Sequence, residues 1–268
     1  MAQTWDWSAA RMFETYSQRL KSRSAALMLV LDNRLDRILQ SWLLLAGLTA
    51  AARIAFTPQA TPIASFSTFA SYMLVVVAPF ASTLLALRWF REGDLLPQPR
   101  TRLAVVGRWR KLSRDEAARH PLFGSGGIMV SLLIGMMLNV PVRAAEYFAA
   151  MPPVRLLAPG WLSALHFALT FDAVLFGSLY MIAFVGALRR VPLFPRLLVA
   201  IWIADLLMQL VTANLVTRSG DLPASVATAL HSLLEGNVKK VLISAALWLP
   251  YLLLSTRVNV TFRHRLPA

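Results

Sequence analysis

The sequence predicts an all-α fold: a polytopic membrane helix bundle of about six transmembrane helices with both termini on the cytoplasmic side. Three observations lead there. Of 268 residues, 57% are hydrophobic and only 15% charged, with a mean hydropathy of +0.58, a balance too apolar for a soluble domain of this size. The apolar residues gather into six runs, each near the roughly 20 residues a helix needs to cross the hydrocarbon. Of the 27 Lys and Arg, 21 fall in alternate connecting segments, the asymmetry that cytoplasmic loops carry.

Net charge and residue types narrow the function classes. A charge of +14 would point to nucleic acid only if the basic residues lay on a folded soluble surface. Here they lie between apolar runs, so anionic lipid headgroups are the expected partner and nucleic acid is not. The chain has no cysteine, which excludes disulfides, thiolate metal sites and thiol catalysis. The first long apolar run starts only at Ile38, after a charged segment, so a cleavable leader is not expected.

Taken in order, residues 1–37 are expected to form a cytoplasmic amphipathic segment. Trp5, Ala9, Met12, Phe13, Tyr16 and Leu20 recur at helical spacing among basic residues, a pattern suited to the headgroup layer or to a partner protein. The spans are then expected at Ile38 to Phe56, Phe69 to Leu87, Gly126 to Val142, Trp161 to Leu188, Leu197 to Val216 and Val238 to Leu254. The third is short and contains Pro141. A basic cytoplasmic loop over 91–119 separates the first two spans from the last four. Leu222 to Asn237, with an apolar stripe of Val226, Leu230, Leu233 and Leu234, reads as a separate short helix on the outer surface. Beside that stripe, His231, Glu235 and Lys239 are spaced i, i+4, i+8, as a surface ladder requires.

The residues that can carry chemistry are the polar ones at membrane depth, where an ionisable group is costly and marks a place where helices meet. Asp172 lies about 16 Å of helix rise inside the fourth span, and Asp205 roughly 12 Å inside the fifth from its other end. The two acids therefore share a depth. Asp205, Gln209 and Thr212, at i, i+4, i+7, make one polar stripe. His166 lies about 120° around the helix from Asp172, too far for a tight dyad. Arg53 is the basic residue inside a span, available either to pair with an acid or to snorkel outward. Asn139 and Arg143 are placed at the end of the third span. No G-x-x-x-x-G-K-S/T, H-E-x-x-H, G-x-S-x-G or G-x-G-x-x-G motif occurs, so no cofactor, metal or catalytic site is expected. Gly124-Ser125-Gly126-Gly127 is the nearest approach to an anion cradle, and reads more simply as a flexible approach to the third span.

The last span and tail carry Trp248, Pro250, Tyr251, Ser255, Arg257, Val258, Thr261 and Phe262. This resembles the closing W-I-P-Y, S-x-R-V, T-F signature of a family of small bacterial inner-membrane proteins with four helices and no assigned activity; Leu249 stands where that family has Ile. Phe194-Pro195-Arg196 resembles the family's F-P-K/R opening of a helix, and Gly127 through Pro141-Val142-Arg143 its first helix with a P-I-R ending. Phe171-Asp172 falls where an aromatic–acid pair is expected. The resemblance covers about residues 120–262, making residues 38–90 a two-helix N-terminal addition, and it implies a bacterial inner-membrane location. Physically, Pro250 removes a helical hydrogen bond and predicts a kink, while Arg257, Arg263 and Arg265 would anchor the tail at an anionic surface.

Two functions fit these residues. The first is a non-catalytic accessory or assembly subunit of a membrane complex. The second is a small-solute or proton-coupled transporter with Asp172 and Asp205 in its path; a lipid-modifying enzyme using His166 and an acid is a more distant third.

Overall fold

In a computed structural model, residues 22–57, 65–100, 103, 107–153, 158–220 and 222–268 are described. Among them are eight helices of six or more residues that begin after residue 34: α1 (Leu35–Ala55), α2 (Ser65–Trp89), α3 (Arg114–Arg119), α4 (Met129–Ala150), α5 (Gly160–Leu188), α6 (Phe194–Thr217), α7 (Ala224–Leu254) and α8 (Thr256–Arg263). Six of these, all but α3 and α8, are long and apolar enough to cross a membrane. The chain is a multi-pass, all-α membrane protein. The aromatic stripe from Trp5 to Leu20 lies outside the described residues, but residues 22–33 are helical and Leu31 is buried in the bundle.

Two of the expected boundaries need correction. The third span does not end at Val142: α4 passes through Pro141 and runs to Ala150. A proline inside a helix removes one hydrogen bond, and the apolar surface this helix buries, including Tyr147 and Phe148, keeps it helical beyond that point. The outer helix expected over Leu222 to Asn237 is not separate either. It is the first half of α7, a 31-residue helix that also passes through Pro250. At roughly 1.5 Å per residue α7 is about 46 Å long, more than the ~30 Å hydrocarbon, a length that tilting or protrusion accommodates.

The buried side chains form two apolar clusters. One gathers Leu35, Met129, Leu133, Phe184, Leu188, Phe194, Leu198, Leu252 and Phe262 at the end that holds the α5–α6 turn. The other gathers Ala50, Tyr72, Tyr147, Phe148, Leu165, Val216 and Leu230 at the opposite end. In the second, Tyr72 stacks on Phe148 at 5.6 Å and donates its hydroxyl to the Met151 carbonyl at 2.7 Å. Between the clusters lies a layer of buried polar side chains: Arg143, Asp172, Asp205, Gln209 and Thr212. The N-terminal pair α1 and α2 is built into the same body, with α2 lying along α5.

The described part of the basic loop carries local structure. Ser113 and Glu116 form a reciprocal capping box at the start of α3, and the Ser113 backbone N–H holds the Glu116 carboxyl below its ordinary range. Strand β1 (Trp109–Lys111) pairs antiparallel with strand β2 (Arg265–Pro267). The loop is thus tied to the C-terminal tail, next to the α5–α6 turn.

Candidate functional site: a polar ring through four helices

The site grows from one arginine. Arg143 is 14 residues into α4, about 21 Å along its axis, and its side chain is only 10% exposed. One terminal nitrogen donates to Asp172 Oδ2 on α5; the other donates to Asp205 Oδ2 on α6 at 2.7 Å. The guanidinium also lies over the Phe176 ring, 4.9 Å from its centroid. A planar fork with several donors is the side chain best suited to hold two carboxylates at once.

Each acid is further satisfied from the side. Gln209 Nε2 lies 3.3 Å from Asp172 Oδ1 and 3.2 Å from Asp205 Oδ1, and the Tyr180 hydroxyl donates to Asp205 Oδ2 at 3.3 Å. Burying charge at membrane depth is tolerable only with such complete pairing.

The network then leaves the core through α7. Asn237 Nδ2 donates to Gln209 Oε1 at 3.3 Å, Lys240 Nζ donates to Asn237 Oδ1 at 3.1 Å, and Lys240 pairs with Glu146. Glu146 is back on α4, three residues after Arg143. The contacts therefore close a ring, α4 to α5 to α6 to α7 and back to α4. Among the described residues, neither α1 nor α2 supplies a side chain to it.

Asp172, Asp205 and Gln209 are thus brought together as their depth and spacing predict, and Thr212 is buried on the same stripe. His166 is apart from the acids: its Nε2 is 3.4 Å from the Tyr147 hydroxyl, which also lies 3.0 Å from Thr170 Oγ1. Arg53 is also apart, beside Tyr72 on α2. The cation that meets the acids is Arg143, not Arg53. The sequence places Arg143 and Asn237 at the ends of helices and Lys240 at the start of the last span, and it marks neither Glu146 nor Tyr180. The signal in the sequence is periodic: Asn139, Arg143 and Glu146 at i, i+4, i+7 continue one helical face through Pro141.

Beside the ring, between α4 and α7, is a cavity of about 210 Å³ lined by Asn139, Arg143, Glu146, Trp202, Asn237 and Lys240, among others. Asn139 Oδ1 and Trp202 Nε1 are buried there without a hydrogen-bond partner among the described residues. Of the ladder on α7, Glu235 and Lys239 form an exposed pair at 2.6 Å. No group of three or more His, Cys, Asp or Glu that could hold a metal occurs among the described residues.

The residues of the C-terminal motif meet the glycine-rich stretch at the end of the bundle that holds the α5–α6 turn. Gly124 N–H donates to Thr261 Oγ1 at 2.9 Å, and Arg257 Nη1 donates to the Gly124 carbonyl at 3.3 Å. Phe262 packs on Phe194 at 5.1 Å, and Trp248 packs edge-on to Tyr251 at 5.9 Å. Ser255, in extended conformation, separates α7 from α8. Asn259, within an N-x-T sequence, is fully buried; it donates to the Leu253 and Ser255 carbonyls and accepts from Arg265 Nε at 2.7 Å. No family model, curated protein or solved structure matches the chain.

Proposed function

We propose that this integral membrane protein is a non-catalytic accessory or assembly subunit of a bacterial inner-membrane complex, with the polar ring as the device that fixes its last four spans. The observation that carries the reading is that Arg143 engages both intramembrane acids at once. Both carboxylates also take Gln209, so their hydrogen-bonding capacity is used within the bundle. Among the described residues the ring joins only the four spans after residue 120, in keeping with a four-helix unit of the kind the W-L-P-Y, S-T-R-V, T-F signature resembles. The contacts of Arg257, Thr261 and Phe262 with Gly124 and Phe194 give that signature a structural role. With 21 of 27 basic residues on one side, the α5–α6 turn and both termini are assigned to the cytoplasm, where the basic loop and tail offer docking surfaces. Copurification in mild detergent should recover a stoichiometric partner. Repeated isolation of a lone monomer would remove this reading.

A second reading, solute- or proton-coupled transport, has one observation in its favour. If every ring member is ionised, three carboxylates face two cations, and the cavity beside them is partly polar. A single proton or small cation would balance the ring. It requires that Asp172→Asn/Asp205→Asn abolish flux in proteoliposomes while the protein stays folded; unchanged flux would exclude it.

A further inference from the structure

The end of the bundle that holds the α5–α6 turn carries a second concave site, remote from the ring. A half-open cleft of about 530 Å³ is lined by the loop at Gln98–Arg100, the β1–β2 pair, the first turn of α6 and the end of α8. This lies within the ~300–1,000 Å³ range of small-ligand sites. Its lining includes Arg100, Lys111, Arg196, Arg263 and Arg265, and no Asp or Glu among the described residues.

Three features of this lining are costly in isolation and point the same way. The β1–β2 register sets Lys111 directly opposite Arg265, and like charges facing across strands repel. Arg196 Nε and Arg263 Nη2 are buried without a hydrogen-bond partner among the described residues, although buried donors are nearly always satisfied. Arg100, Lys111, Arg196 and Arg263 have no ion pair among the described residues; the ion pairs that form there lie at the ring and on α7. Burial and the neighbouring Arg265 and Arg196 push the Arg263 guanidinium down to about 10. Asn259 Oδ1 is shared inside the cluster, taking Arg265 at 2.7 Å and Arg263 at 3.4 Å.

We infer that this pocket binds a phosphate group, with Arg196 and Arg263 as the direct donors and Arg100, Lys111 and Arg265 completing the charge. Guanidinium forks match phosphate oxygens in geometry. The phosphate can belong to an anionic lipid headgroup or to a soluble phosphate compound, since the pocket lies at the end of the spans.

The test uses the full-length protein in two arms. In the first, nanodiscs of phosphatidylcholine with or without phosphatidic acid are compared for lipid retained with the purified protein. In the second, inorganic phosphate is titrated in detergent and followed by calorimetry. Arg196→Gln/Arg263→Gln should weaken the productive arm at least tenfold, while Arg119→Gln, a basic residue outside the pocket, should leave it unchanged. If the double variant does not fold, the exposed pair Arg100→Gln/Lys111→Gln serves in its place, with a severalfold loss expected. Retention of phosphatidic acid alone assigns the lipid source, and phosphate binding alone the soluble one. Failure of both arms, or equal loss with Arg119→Gln, overturns the proposal.

Discussion

Arg143 on α4 and Asp205 on α6 are 62 residues apart in sequence and 2.7 Å apart in the bundle. Their pairing, with Asp172 on the other fork of the same guanidinium, lies between two apolar clusters that pack opposite ends of the spans. The polar layer thus fixes the register of α4, α5 and α6, which apolar packing in lipid specifies poorly because lipid tails compete on equal terms. The predictions below separate this layer from its surroundings.

The outer arc of the ring should matter less than its centre. Lys240 and Glu146 pair with side chains 51% and 37% exposed, and exposed pairs contribute about 0–1 kcal/mol. Lys240→Met is expected to leave thermal stability within a few degrees of wild type. A loss as large as that of Arg143→Met would show that the arc is integral to the core.

Gly127 has φ of +68°, and a Cβ there would lie 3.4 Å from Arg257 Nε. A left-handed backbone costs an L-residue about 1–2 kcal/mol, so Gly127→Ala should lower the unfolding temperature and loosen the seat of the C-terminal motif. Gly135, within α4 and with open space at its Cβ, is the control: Gly135→Ala should be neutral or stabilise by roughly 0.5–1 kcal/mol. Equal effects at the two sites would contradict the role given to Gly127.

His264 ends α8 with φ of +47°. Burial, followed by the charge of Arg114, holds its pKa below the ordinary 6.5. The unfolded chain then takes up this proton more readily than the folded one. Its contribution to stability is complete above about 6.5 and is lost as pH falls through that value toward the lower folded pKa. Asn also tolerates the left-handed region, so His264→Asn should flatten this part of the pH–stability profile without unfolding α8. An unchanged slope would mean that His264 is not its source.

The spans, their number and the shared depth of Asp172 and Asp205 were legible because membrane crossing imposes a length and a polarity that a single segment displays. The stripe Asp205, Gln209, Thr212 was legible for the same reason, helical spacing on one element. Arg143 was hidden by Pro141, which reads locally as a helix end although packing carries α4 on to Ala150. Asn237 was hidden by a polar composition that made the first half of α7 resemble a surface segment, and Lys240 by its place at the start of the last span, where it reads as a helix-end charge. The β1–β2 pair joins two three-residue stretches about 150 residues apart, too short for any period to announce. Gly124 and Thr261 were each conspicuous, yet their contact is tertiary and no local signal encodes it.

The account's central claim is that Arg143, Asp172 and Asp205 are a mutually dependent structural unit. Thermal unfolding of purified Arg143→Met against Arg143→Met/Asp172→Asn/Asp205→Asn tests it most directly. Removing one partner of a buried charge set costs about 3–5 kcal/mol, whereas replacing the whole set is often near neutral. The single variant should therefore be strongly destabilised and the triple variant should recover most of the loss. A triple variant as unstable as the single one, or a single variant as stable as wild type, would contradict the account.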